Sequence, residues 1–381
     1  MKTNVKMTKL VRRVMTIAAA MLMVFTVFAA AVPAQAANVA APQSTFNFTK
    51  YLVMPTEANV PNATFTFAIK PGKAANASGS APAIMAGVGD PTVSSAAFTT
   101  GHGVHTTVQA GDNITLGAGE KYAKTSVTVT FPADTFTAPG IYRYELTENQ
   151  TDVQGVTSSS ATIYLYVTVT YDGDSETNLK VASYELKADD AVGSTAKAQG
   201  FTNTYATNNL TLEKNVTGNQ GDRDKYFEFE VKIENAVPGT QYSIGGTYDV
   251  NAGEHTNPAT TEKLTATDGS VTRNFYLKNG QNVIIMGLTE DTTYTITETP
   301  YANDGYVTSH TVNGAASGSG DPLTTDSKEM AGSNHTVTFT NHKEGTVPTG
   351  VLLEIAPYIA LAVVVIAGFV VLFATRRRRE R

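Results

Sequence analysis

Cysteine is absent from the 381 residues. No disulfide framework can therefore hold this chain together, and its stability must come from elsewhere. Histidine is scarce, with six residues scattered along the chain. His102-Gly-Val-His105 is a lone pair without a third ligand nearby, so it reads as loop composition rather than a metal site. Asp172-Gly-Asp174 falls far short of a calcium ligand set and reads as a turn. Helical periodicity is missing between Ala37 and Gly345. Positive charge is also short there: residues 38–344 hold 18 Lys+Arg against 32 Asp+Glu, a net charge of −14. That balance argues against a nucleic-acid partner, and nothing in the chain asks for a cofactor.

What is present begins at the two ends. Lys2, Lys6, Lys9, Arg12 and Arg13 precede an apolar run from Val14 to about Val32, followed by Ala34-Gln35-Ala36. Basic segment, apolar core and small-residue site in that order predict a secretory signal peptide over residues 1–37. A second apolar run, Val351 to Ala374, meets the roughly 20 residues needed to cross a bilayer and stops at Arg376–Arg379. Terminal arginines favour a cytoplasmic tail and an external body. Directly before the run stand Val347, Pro348, Thr349 and Gly350. Motif, apolar span and basic cluster over residues 345–381 together resemble a sortase sorting signal. In that chemistry a transpeptidase thiol attacks the Thr349 carbonyl, expels Gly350 onward and holds the chain as a thioester for an amine. The membrane span and arginines hold the substrate in place meanwhile.

The middle alternates apolar residues with Thr or charge, as in 63–69, 125–131, 162–171 and 226–234, punctuated by Gly, Pro, Asn and Asp. Short punctuated strands predict an all-β chain of two tandem immunoglobulin-like β-sandwich domains. An internal repeat divides it. The stretch 45–50 ending in Lys50 is echoed by 209–214 ending in Lys214. Stretches ending in Glu148 and Glu298 echo each other, as do Phe201-Thr-Asn203 and Phe339-Thr-Asn341. The order Lys, Glu, Asn thus occurs twice, which sets domains at 38–206 and 207–344.

Side chains alternate faces along a strand. Lys50 is in phase with Phe46 and Phe48, Lys214 with Leu210 and Leu212, Glu148 with Tyr144 and Leu146, and Glu298 with Tyr294 and Ile296. Asn203 and Asn341 keep phase with Phe201 and Phe339, whereas Arg143, Glu145, Thr295 and Thr338 fall on the opposite side. Strand ends offer one account, since a Lys or Glu can reach water past the last core residue. The repeated triplet supports a second: an intramolecular Lys–Asn isopeptide bond in each domain. Burial lowers a lysine pKa and raises a glutamate pKa. The amine can then be a neutral nucleophile while the acid polarises the carboxamide and shuttles protons as ammonia leaves. This is a self-reaction run once and makes no enzyme.

These stretches, with Gly140–Glu148, Gly221-Asp-Arg223 and Tyr294–Tyr306, resemble the major backbone pilins of Gram-positive bacteria, the streptococcal type with two isopeptide-bonded domains. No tryptophan is present for the tryptophan-containing motif of the other pilin subclass. The resemblance implies bonds Lys50–Asn203, assisted by Glu148, and Lys214–Asn341, assisted by Glu298. It implies a secreted subunit in a covalent polymer of identical copies on peptidoglycan, joined by a sortase from Thr349 to a lysine of the next. Lys197 is the expected acceptor, with Lys187 its competitor. The alternative is a wall-anchored adhesin or accessory pilin, with the Gly/Ala/Ser/Thr-rich segment between Ala74 and Gly119 as binding loop. A wall-anchored hydrolase has little to support it.

Overall fold

The computed structural model describes residues 45–133, 135–172, 179–250, 263–320, 322–345 and 358–367. The expected signal peptide and the Val347–Gly350 motif lie outside them. Of the expected membrane span, residues 358–367 are described and form a helix. Among the described residues no helix is long and apolar enough to cross a membrane.

Strand dominates residues 45–342, and every strand pairing closes within them. The first unit has, besides a two-stranded ribbon of Ala63–Phe65 with Ala96–Phe98, two facing sheets. One orders Val156–Thr157, Gly200–Tyr205, Thr45–Pro55, Glu120–Thr130 and Thr92–Val93; the other orders Leu179–Lys187, Thr162–Tyr171, Gly140–Glu148 and Phe67–Pro71. Their inner faces share one core, in which Phe48, Leu52 and Val127 from the first sheet meet Tyr144, Leu146 and Leu165 from the second. The second unit repeats the arrangement. Its larger sheet runs Lys263–Ala266, Thr240–Thr247, Asn282–Leu288, Asn208–Thr217, His335–His342, Val307–Val312 and Ala315–Ser319. The sheet facing it contains Val271–Leu277, Phe227–Glu234, Thr293–Glu298 and Leu323–Thr324. The second core is separate from the first.

One topological feature positions everything that follows. In each unit the opening and closing strands are neighbours and run parallel: Thr45–Pro55 beside Gly200–Tyr205, and Asn208–Thr217 beside His335–His342. Lys50 is level with Phe201, and Lys214 with Phe339. Each lysine thus stands two rungs from the asparagine on its partner strand, on the same face because two is the side-chain period. At a seam between the units, Asn59 Nδ2 donates to Gln241 O and Ser243 Oγ, both at 2.9 Å.

One local reading needs correction and another needs an addition. Residues 63–69 alternate like one strand, yet the structure breaks them into Ala63–Phe65 and Phe67–Pro71, which pair with different partners. The break is Thr66, whose carbonyl and hydroxyl accept from Asn149 N and Nδ2 at 2.9 Å. Arg143, expected opposite the core, does lie on that face but is buried. The chain around Gly72 and Asp190 covers it, and its guanidinium donates to the carbonyls of Lys73 and Asp190.

The closing strand of the first unit can start only with glycine. A Cβ at Gly200 would sit 1.7 Å from Thr49 O on the adjacent backbone. Gly200→Ala should therefore destabilise the first unit by about 2 kcal/mol or more. Calorimetry should show its transition lowered by about 4–8 °C with the second unit's unmoved; two unchanged transitions would contradict this packing.

Candidate functional site

The parallel strands deliver a lysine and an asparagine to the core from one sheet, and the facing sheet supplies a glutamate. In the first unit Lys50 Nζ donates to Glu148 Oε2 at 2.6 Å, and Asn203 Nδ2 donates to Glu148 Oε1 at 2.5 Å. One carboxyl group thus bridges the amine and the carboxamide nitrogen. Lys50 is 0% exposed, with Nζ 4.8 Å from the centre of the Phe65 ring. Phe48, Phe67 and Phe201 of the same core pack against one another, edge to face and tilted.

The second unit sets the same three residue types slightly differently. Lys214 Nζ donates to Asn341 Oδ1 at 2.5 Å and lies 3.1 Å from Glu298 Oε1. Glu298 stands beside Lys214, Thr308 and Asn341 without a well-aligned hydrogen bond to its own oxygens. The amine rests against the Phe227 ring at 4.1 Å and the Phe229 ring at 5.8 Å. Phe229 in turn meets Phe339 edge to face. Glu298, Lys214 and Asn341 are all buried.

Such burial sets the protonation states. Loss of solvation pushes the Lys50 amine down to about 8, although the charge and hydrogen bond of Glu148 pull the other way. Lys214 is likewise pushed down to about 8 by burial, opposed by Glu298. Burial raises Glu298, with Lys214, Thr308 and Asn341 opposing. At neutral pH an amine with pKa about 8 is neutral roughly a tenth of the time, several hundred-fold more than an ordinary lysine. A neutral amine, a carboxamide and a carboxyl group in contact are the reactants and proton carrier for amide exchange.

Two contributors carried no readable sequence signal. Ser159 N–H donates to Asn203 Oδ1 at 2.8 Å, so a backbone donor already faces the oxygen on which negative charge would develop. Thr308, buried opposite Asn341 on the neighbouring strand, flanks Glu298. Its Thr-rich surroundings did not distinguish it.

The remaining expected residues lie apart. Lys197 is exposed at the corner before the closing strand of the first unit. Lys187 is largely covered: Nζ donates to Ser194 O at 2.9 Å and stands over the Tyr166 ring at 4.7 Å. The segment from Ala74 to Gly119 packs on its own unit. Its Asp112 accepts from Tyr51, Tyr122 and Lys124, and Ile114 and Leu116 cover Tyr51 and Val53. His102 accompanies Phe98 and His105 accompanies Tyr122.

Comparison with known proteins adds five findings. Residues 46–206 match the family described as the Spy0128-like isopeptide containing domain, and residues 208–343 match a domain of unknown function (DUF7601). The chain is 31% identical over 252 residues to a pilin of Streptococcus pyogenes serotype M1, covering 62% of this chain and 68% of that protein. It is 37% identical over 148 residues to the pilus tip adhesin Cpa of Streptococcus pyogenes, covering 39% of this chain and 18% of the adhesin. The crystal structure of the major pilin from Streptococcus pyogenes superposes on 80% of this chain and 100% of its own, with a TM-score of 0.56 at 24% identity.

The lowered lysine has a consequence for stability. In an Asn341→Ala protein Lys214 remains a free amine. Unfolded, it would hold its proton to the ordinary 10.5, and folded it releases the proton near 8. Between those values the unfolded state binds more protons, so folding gains as pH rises. Denaturation of that variant should strengthen by about 1–2 kcal/mol between about pH 8 and 9.5, below the range of the tyrosines. A flat profile would remove Lys214 as a buried titrating amine.

Proposed function

The chain belongs to the pilins, and on that premise we propose that its two buried Lys–Glu–Asn triads close into isopeptide bonds within a covalently assembled fibre. It is a structural subunit of a Gram-positive, streptococcal-type pilus. The observation that carries the proposal is the triad itself, built twice at equivalent rungs of equivalent strand pairs.

In each unit the neutral lysine nitrogen attacks Cγ of the asparagine. The Nζ–Cγ bond forms, the Cγ–Nδ2 bond breaks, and Nδ2 leaves as ammonia. Glu148, in contact with both Nζ and Nδ2, takes the proton from one nitrogen and returns it to the other. The Ser159 N–H stabilises charge on Oδ1 during the transfer. Glu298 does the corresponding work between Lys214 and Asn341. No turnover follows, because the product is the protein itself. The loops closed span 203 − 50 = 153 and 341 − 214 = 127 positions. By the chain-entropy argument each restricts the unfolded state by about 5 kcal/mol. This answers the absence of cysteine with a linkage that no reductant opens.

Assembly follows from the ends of the chain. The body consists of two tandem immunoglobulin-like sandwich domains, 38–206 and 207–344, secreted through the signal peptide and held at the membrane by 351–374. A sortase thiol takes Thr349 as a thioester, releasing the amine of Gly350. Lys197 Nζ of another copy then attacks that carbonyl and the thiolate departs. Exposure favours Lys197 as acceptor, since Lys187 is covered and engaged. The last subunit passes to peptidoglycan.

Intact mass decides the first part. Residues 38–344 should weigh roughly 34 Da less than their sequence, two ammonia molecules. Glu148→Ala and Glu298→Ala should each restore half of that. A mass equal to the sequence would remove the cross-links. Tandem mass spectrometry of digested polymers should find Thr349 joined to Lys197; a bond to Lys187 would reverse the acceptor assignment.

A further inference from the structure

The two units close their sheets differently, and the difference leaves a gap. In the second unit the closing strand lies along the opening strand from its start, pairing His335, Thr336 and Val337 with Leu210, Thr211 and Leu212. Counted back from the triad asparagine, those three correspond to Lys197, Ala198 and Gln199. In the first unit this segment goes elsewhere. Ala188 N donates to Ala196 O and Ala198 N to Leu186 O, so the chain pairs with the facing sheet. It crosses to the opening strand only at Gln199, whose carbonyl accepts from Thr49 N at 3.0 Å. Phe46, Asn47 and Phe48 therefore have Glu120–Thr130 on one side and, among the described residues, no strand on the other.

The backbone of the gap is ready to pair. Backbone groups alternate sides along a strand. Because Thr49 N–H points to the closing strand, Asn47 N–H and C=O point to the same side, where the strand is missing. A groove of about 280 Å³ lies there, lined by Phe46, Asn47, Thr49, Leu186, Ala198 and Gln199. It begins one residue from Lys197.

We propose that this groove receives the segment Thr346–Thr349 of a second copy, added as a short edge strand to residues 46–48. The proposal rests on the Thr349-to-Lys197 joint. Chain length supports this occupant. Gly345 is tied to the body of its own unit, its N–H donating to Asn219 Oδ1 at 2.6 Å and its carbonyl accepting from Asn219 Nδ2 at 3.2 Å. Thr349 follows four residues later, at most about 14 Å away. A joint that short holds the segment against the surface beside Lys197, and the vacancy is three rungs long. The residue types fit as well. If Val347 and Thr349 turn their backbone groups toward Asn47, Pro348 turns outward, where its missing N–H costs nothing. Backbone pairing supplies the register, and a largely polar lining, with Asp112 and Gln199 beside Phe46 and Leu186, suits the threonine hydroxyls as well as Val347.

Because the chain has no cysteine, Lys197→Cys creates a single thiol. The body, residues 38–345, contains every described strand pair and both cores. Joined by a disulfide to a synthetic peptide of residues 345–348 ending in cysteine, it reproduces the joint without a sortase. Exchange of the Asn47 amide, read by NMR, should slow about tenfold or more on attachment. Ala198→Trp, which fills the groove, should restore fast exchange. Unchanged exchange at Asn47 overturns the proposal, and so does an Asn47 amide already slow without the peptide, which would mean that the chain's own residues fill the gap. The acceptor reading fails separately, if native polymers show Thr349 on another lysine.

Discussion

An amine held in an apolar core beside a carboxyl group and a carboxamide is the arrangement on which the rest of this molecule depends. Burying a charged lysine among phenylalanines is costly unless it is paired or loses its charge. The fold lets both happen. Glu148 and Glu298 pair the amines, and desolvation brings Lys50 and Lys214 down to about 8. A chain that only needed stability would do better with leucine at these positions. The cost makes sense when the polar groups are reactants whose charges vanish into an amide.

Holding three side chains from distant parts of the sequence in contact requires a particular topology. The asparagine and lysine meet because the opening and closing strands are parallel neighbours, two rungs apart at the site. The glutamate comes from the facing sheet and crosses the core between them. Aromatic rings fill the remaining space, with Phe67 against Phe201 in one unit and Phe229 against Phe339 in the other. The two units solve the same problem with different surroundings, which is why one glutamate bridges two groups and the other flanks them.

Much of this was legible in the sequence because strand parity is an exact period of two. A repeated Lys, Glu, Asn order in phase with Phe46, Leu210, Tyr144 and Tyr294 leaves few places for those side chains to go. What escaped was whatever depends on chain from elsewhere. Arg143 is on the outer face as its parity requires, and only the packing of distant loops buries it. Thr66 breaks a strand because Asn149 captures it. Ser159 contributes a backbone N–H, which every residue but proline possesses, so its identity says nothing. The gap beside Phe46–Phe48 is an absence of pairing among the described residues, and no residue type marks an absence.

The parallel neighbouring strands have one more consequence. In the second unit the chain enters its opening strand at Asn208 and leaves its closing strand at His342, after eight rungs of pairing between them. Tension applied at those two points drags the strands past each other, so all eight rungs resist together in shear instead of opening singly like a zip. The proposed bond from Lys214 to Asn341 would lie across the same pair of strands and carry the tension from one to the other through a side chain. With that bond in place the sheets and core enclosed between those residues would hang beside the line of force, and stretching the fibre would not unravel them.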